Sequence, residues 1–100
     1  MEFLVTIELE RFELAATEES DLRERERATG ERYMRDGALL RMWRLPGRRA
    51  SVSLWKVDDA DRLHELLSGF PFFPWMDITV VPLARHYLEE GREAAGGGAS

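Results

Sequence analysis

The sequence predicts one α+β domain in the order β-α-β-β-α-β, and three observations predict it. Residues 2–10 alternate, with Phe3, Val5, Ile7 and Leu9 set against Leu4, Thr6, Glu8 and Glu10, the period of two that a strand requires. Residues 17–37 are long, charged and free of proline, as a surface helix should be. Pro46-Gly47 separates two short apolar runs, the punctuation of a hairpin.

The first strand is apolar on both faces over its first half, which places it centrally in a sheet. Residues 11–16 form a connection. Thr17 is the expected N-cap, and Glu18, Glu19 and Asp21 put negative charge where the helix dipole favours it. Gly30 weakens this helix slightly and Gly37 ends it. Asp21–Arg25 and Glu31–Arg35 are i,i+4 pairs on its solvated side, each contributing about 0.3 kcal/mol.

Residues 38–45 form the second strand, on which strict alternation groups Arg44 with Leu40 and Met42, and Arg41 with Leu39 and Trp43. Residues 50–57 form the third, with Ala50, Val52 and Leu54 on one face and Ser51, Ser53, Trp55 and Val57 on the other. Arg48 and Arg49 sit in the turn between them. Asp58 or Asp59 caps a short helix at 60–68 that turns Leu63, Leu66 and Leu67 inward and stops at Gly69. The block 70–76 is too broken by Pro71 and Pro74 for a helix or a central strand. Residues 77–83 form the fourth strand, and Pro82 assigns it to an edge or a bulge. No pattern survives beyond residue 85. The domain is therefore expected at 1–88, with a flexible tail at 89–100.

Two right-handed crossovers put both helices on one face of a four-stranded antiparallel sheet, the ferredoxin-like arrangement. The other face has no cover within the chain. The first and third strands are apolar on both sides, and Trp43 and Trp55 also need burial. Association through the open sheet face, at least into a dimer, is the expected remedy.

Composition narrows the function. A chain of 100 residues that is 44% apolar with four prolines suits a folded domain with a modest core. Its formal charge of −5 gives no support to a nucleic-acid partner. Basic character is local, in Arg41, Arg44, Arg48 and Arg49, which suits a small anion. Cysteine is absent, which excludes thiolate chemistry and fits a reducing cytoplasm. No leader is expected from the acidic start at Met1-Glu2. No apolar run approaches the roughly 20 residues of a membrane span.

On the first helix Leu22, Glu26, Thr29 and Tyr33 share one stripe. Three of them can pack against a sheet. Glu26 packs there only if a charge or a proton carrier is wanted, because desolvation raises a carboxyl pKa and makes it a useful base near neutrality. Periodicity alone favours a glutamate at the stripe's edge, solvated or paired with arginine.

The chain resembles the muconolactone Δ-isomerase family from Met1 to about His86. Leu63-His64 followed by Pro71-Phe72-Phe73-Pro74-Trp75-Met76-Asp77 matches its most specific block. Trp43-Arg44 before Gly47 is similar to its hairpin motif, and Arg85-His86 to its C-terminal Arg-His. The resemblance implies a dimeric α+β barrel built from paired subunits, in rings up to decamers, and a cofactor-free isomerisation of a carboxylate-bearing lactone. The family's general base, a glutamate of the first helix, corresponds to Glu26 when counted back from Gly37. Periodicity and resemblance thus meet at one residue. Three positions depart from the pattern: Leu4 replaces a histidine, Arg49 an aromatic residue and Ser51 an asparagine. Retained proton transfer on a different substrate fits these departures, and so does a fold kept after activity was lost.

The expected site is Glu26 as catalytic base, with Tyr33, Arg41, Arg44, Arg49, Ser51 and Trp75 as substrate-binding residues. One of Arg41 and Arg44 is expected to fork a substrate carboxylate, or else to pair with acids of the first helix. Tyr33 is a candidate donor to an enolate oxygen. Trp43, Trp55, Phe72, Phe73 and Trp75 wall a pocket or fill the core and subunit contacts. His64 and His86 lack ligand spacing, so no metal is expected. The alternatives to an isomerase are a cofactor-independent cyclase on the same scaffold and a non-catalytic ligand-binding or assembly module.

Overall fold

The computed structural model describes residues 1–94. Its elements are β1 (Glu2–Leu9), α1 (Ala16–Arg35), β2 (Leu39–Leu45), β3 (Ala50–Lys56), α2 (Ala60–Ser68), β4 (Met76–Leu83) and α3 (Tyr87–Ala94), with one 3₁₀ turn at Phe73–Trp75. The sheet is antiparallel in the order β2-β3-β1-β4. β1 is central, as its two-faced apolar pattern requires, and β4 with Pro82 is an edge strand. Val5 stands opposite Ser53 on one side and Val80 on the other.

α1 ends in a paired turn: Gly37 N–H donates to the Met34 carbonyl and Ala38 N–H to the Tyr33 carbonyl, each at 3.1 Å. Gly37 takes φ of +85°, a conformation that favours glycine. At the other end the expected cap is displaced. Thr17 lies inside the first turn, and Ala15 precedes the helix with no side-chain bond. Its carbonyl receives Glu19 N–H at 2.9 Å, so the helix gains Ala16 and Thr17, which the cap signal excluded. For α2 the cap is Asp59, whose carboxylate accepts from Arg62 N–H at 2.8 Å. The Asp21–Arg25 pair forms, whereas Glu31 pairs with Arg27.

The core lies between the helices and one sheet face. Phe3, Val5, Ile7 and Trp55 meet Tyr33 of α1, Leu63, Leu66 and Leu67 of α2, and Phe70. Trp55 is fully buried within the chain and needs no partner to cover it. Its indole N–H donates to Ser53 Oγ at 2.8 Å, and Ser53 Oγ donates to the Val5 carbonyl at 3.3 Å. Buried polar groups are thereby satisfied.

β2 departs from strict alternation. Leu39 stands opposite Trp55 and Arg41 opposite Leu54, which leaves Leu40 as an extra, bulged residue. Downstream side chains are thereby re-aimed. Met42 and Arg44, opposite Ser53 and Ser51, join Leu39 on the helix side, while Arg41 and Trp43 turn to the other. That corrects both groupings read from the sequence.

Among the described residues no helix covers the second sheet face, and Trp43, Val81 and Leu83 remain 44%, 46% and 40% exposed. Beyond β4, residues expected to lack structure form α3. His86 precedes it and accepts Leu88 N–H on Nδ1 at 3.1 Å. The expected tail therefore begins with helix, and its last six positions, 95–100, lie outside the described residues.

Candidate active site

A cavity of about 850 Å³ opens between α1, the β2–β3 hairpin and the segment leading into β4. Ile7, Leu9, Phe70, Phe72 and Met76 supply its apolar wall. Into it projects Glu26, half-buried on the α1 stripe whose neighbours Thr29 and Tyr33 are buried. Glu26 Oε1 accepts the backbone N–H of Phe72 at 3.0 Å. Burial pushes the Glu26 carboxyl above its ordinary value, and the bond from Phe72 partly opposes that rise. Desolvation is the larger effect because an anion loses hydration against apolar neighbours while one amide restores only part of it. The result is a carboxyl suited to taking up a proton.

Five guanidinium groups share the cavity with this single carboxylate: Arg23, Arg27, Arg44, Arg48 and Arg49. Three are already paired. Arg23 binds Glu19 at 2.8 Å, Arg27 binds Glu31 at 3.1 Å and also Glu24, and Arg48 binds Glu8 at 3.0 Å. Arg44 and Arg49 pair with no carboxylate among the described residues. Arg49 lies over the Phe12 ring, 5.4 Å from its centroid. Ser51 completes this side of the lining.

Of the residues expected from sequence, Glu26, Arg44, Arg49 and Ser51 therefore come together. Three do not. Tyr33 donates its hydroxyl to the Leu66 carbonyl at 2.6 Å, deep in the core between Trp55 and Phe70. Arg41 is turned away by the bulge and rests over Trp43, 5.5 Å from its centroid. Trp75 stands behind the wall, packed on Phe12 and Phe72 at 5.3 and 6.1 Å. Leu4, the replaced histidine position, faces Leu54 and Val81 on the helix-free side.

Sequence reasoning missed two contributors. Phe12 lies in the stretch 11–16 that the sequence presents as a plain connection, yet it packs on Phe72, Trp75 and Arg49. The Phe72 amide carries no side-chain signature at all. Among the described residues no group of three or more His, Cys, Asp or Glu side chains gathers as metal ligands, and no helix is long and apolar enough to cross a membrane.

A desolvated carboxyl beside unpaired guanidiniums can move a proton on a bound organic anion. The family model for muconolactone Δ-isomerase matches residues 1–89. The chain belongs to the muconolactone Δ-isomerase family. It is an isomerase resembling that enzyme. A muconolactone Δ-isomerase of Cupriavidus pinatubonensis is 38% identical over 74 residues, 74% of this chain and 80% of its own. One from Rhodococcus opacus is 37% identical over 62 residues, 62% of this chain and 67% of its own. A crystal structure of muconolactone isomerase superposes with a TM-score of 0.80 at 31% identity, over 86% of this chain and 91% of that one. A 5-chloro-2-hydroxyhydroquinone dehydrochlorinase from Burkholderia phenoliruptrix, at 14% identity and a TM-score of 0.58, shares the fold alone.

Proposed function

We propose that the chain shifts a carbon–carbon double bond in a carboxylate-bearing unsaturated lactone, with Glu26 as the proton carrier. The observation that carries this reading is the half-buried Glu26 carboxylate in the cavity wall, held by the Phe72 amide. The ionised carboxylate removes a proton from the ring carbon next to the double bond. The electron pair left behind delocalises through that bond onto the lactone carbonyl oxygen, giving a dienolate. The same carboxyl, now protonated, returns the proton two carbons away, and the double bond migrates. Electrons and atoms balance without an oxidant, a metal or a cofactor.

Arg44 receives the substrate carboxylate in this reading, because a guanidinium offers two parallel N–H bonds to it. The apolar wall limits the water around the dienolate. The relatives named above are muconolactone Δ-isomerases, and muconolactone is the reference substrate for this chain. Arg49 and Ser51 in the hairpin favour a substrate differing from it in the part that meets the hairpin.

The working form is a homo-oligomer, at least a dimer, acting in the cytoplasm on a small molecule. Support comes from the helix-free sheet face with exposed Trp43, Val81 and Leu83, an apolar surface that association would cover. The family resemblance extends this to rings as large as decamers.

Proton exchange in deuterated water tests the mechanism. Wild type should wash deuterium into a bound unsaturated lactone at the carbons flanking the migrating bond. Glu26→Gln, which keeps shape but carries no exchangeable acid of suitable pKa, should slow that exchange by about 10²–10⁴. Equal exchange in both proteins removes Glu26 from the mechanism.

A further inference from the structure

The cavity holds more unpaired positive charge than one substrate carboxylate uses. Arg23, Arg27 and Arg48 are neutralised by their own glutamates. Glu26 cannot serve Arg44 or Arg49 without surrendering the role that its burial and its Phe72 bond give it. Two guanidiniums therefore face the cavity with no carboxylate partner among the described residues, and they arrive from different parts of the hairpin. Arg44 projects from β2 opposite Ser51. Arg49 ends the turn, where its carbonyl accepts Leu9 N–H at 2.8 Å and its side chain lies over Phe12. That backbone bond fixes the base of Arg49 against the end of β1. With the Phe12 ring 5.4 Å from its Cζ, the Arg49 side chain makes no hydrogen bond among the described residues, and its N–H donors are available.

We infer that Arg49 is a specificity-determining residue that receives a second anionic group, so that the preferred substrate is an unsaturated lactone carrying two carboxylates. The inference rests on the cavity being the substrate site, as proposed above. Arg44 takes one carboxylate near the reacting ring and Arg49 the other at the hairpin side. Lysine would not substitute fully at position 49, because an ammonium offers neither the planar fork nor the stacking face.

Saturated γ-lactones, which cannot isomerise, separate binding from chemistry. Calorimetry at low salt with the full chain should show a γ-lactone dicarboxylate binding at least about tenfold tighter than the matching monocarboxylate. Arg49→Met should abolish that preference, and Arg49→Lys should retain part of it, with far-ultraviolet circular dichroism confirming the fold of each. Equal affinity of wild type for the two ligands overturns the proposal, as does a preference unchanged in Arg49→Met. An Arg49-dependent preference without any Glu26-dependent exchange on the unsaturated dicarboxylate upholds the second subsite while refuting the catalytic role of Glu26. Glu26-dependent exchange with no Arg49-dependent preference refutes the subsite and leaves that role intact.

Discussion

The backbone N–H of Phe72 reaches Oε1 of Glu26 at 3.0 Å across 46 positions of sequence. It ties the middle of α1 to the proline-aromatic block after α2 and fixes the direction in which the carboxyl points. The carboxyl is free to rise in pKa because, among the described residues, this is its one hydrogen bond and apolar side chains wall the cavity beside it. Several expected outcomes depend on that balance.

The pH dependence of stability should carry a signature of Glu26. Its folded pKa lies above its unfolded one, so between the two the native chain holds a proton that the unfolded chain has released. Stability from this group is complete below the ordinary glutamate value of about 4.3 and is lost as pH rises through the folded value. The rate runs the opposite way, since the base form is the active one and kcat/KM rises through the same folded pKa. The other charged groups lining the cavity are Arg23, Arg27, Arg44, Arg48 and Arg49. Urea midpoints measured against pH should fall through this window in wild type and fall less in Glu26→Gln. A thermal midpoint lowered by several degrees in Glu26→Gln would instead mark the residue as structural.

Tyr33→Phe should lower stability by about 1 kcal/mol and leave turnover essentially unchanged. The hydroxyl serves the Leu66 carbonyl, which keeps a second bond from Gly69 N–H at 3.1 Å, so the loss stays near the usual worth of one hydrogen bond. Chemical denaturation gives the first quantity and steady-state kinetics the second. A large fall in kcat alone would return Tyr33 to the site.

Gly69→Ala should cost about 1–3 kcal/mol through overpacking. Gly69 has an ordinary φ of −79°, so the backbone is not the obstacle. A methyl group there would collide with Tyr33 Oη and press on the Leu66 carbonyl. Combined with Tyr33→Phe, the substitution should cost less than the sum of the two, a coupling that a double-mutant cycle reads directly.

Val81→Glu should abolish the proposed association through the helix-free sheet face. Val81 is 46% exposed on the helix-free face, where a buried, unpaired carboxylate would oppose any sheet-to-sheet contact. Sedimentation velocity of the two proteins at equal concentration checks it, and an unchanged sedimentation coefficient would move the interface elsewhere.

Much of the fold was legible because local signals agreed with the tertiary outcome. The alternation of β1, the glycine at 37, the aspartate at 59 and the turn at Pro46-Gly47 each state their own structure, and together they admit few topologies. Glu26 was legible as an odd member of an apolar stripe. Arg44, Arg49 and Ser51 were legible as candidates, but the choice between Arg41 and Arg44 was not. Which of Arg41 and Arg44 faces the cavity depends on the bulge at Leu40, and a bulge is a property of the pairing between strands, absent from either strand alone. Tyr33 and Trp75 were misassigned for a related reason. An aromatic residue on an inward face suits a cavity wall and a core equally, and only the third dimension decides. α3 went unseen because a short segment with Gly91 inside it has little helical pattern of its own.

The additional residue in β2 also decides which length changes the hairpin can absorb. Loss of Leu40 would heal the ladder into a regular one and leave Arg44 opposite Ser51 as before, with only the local coiling of the edge relaxed. A further insertion ahead of Met42, met by a slip instead of a wider bulge, would rotate an indole inward in place of the guanidinium. The anion receptor is therefore tolerant of shortening at this edge and vulnerable to lengthening.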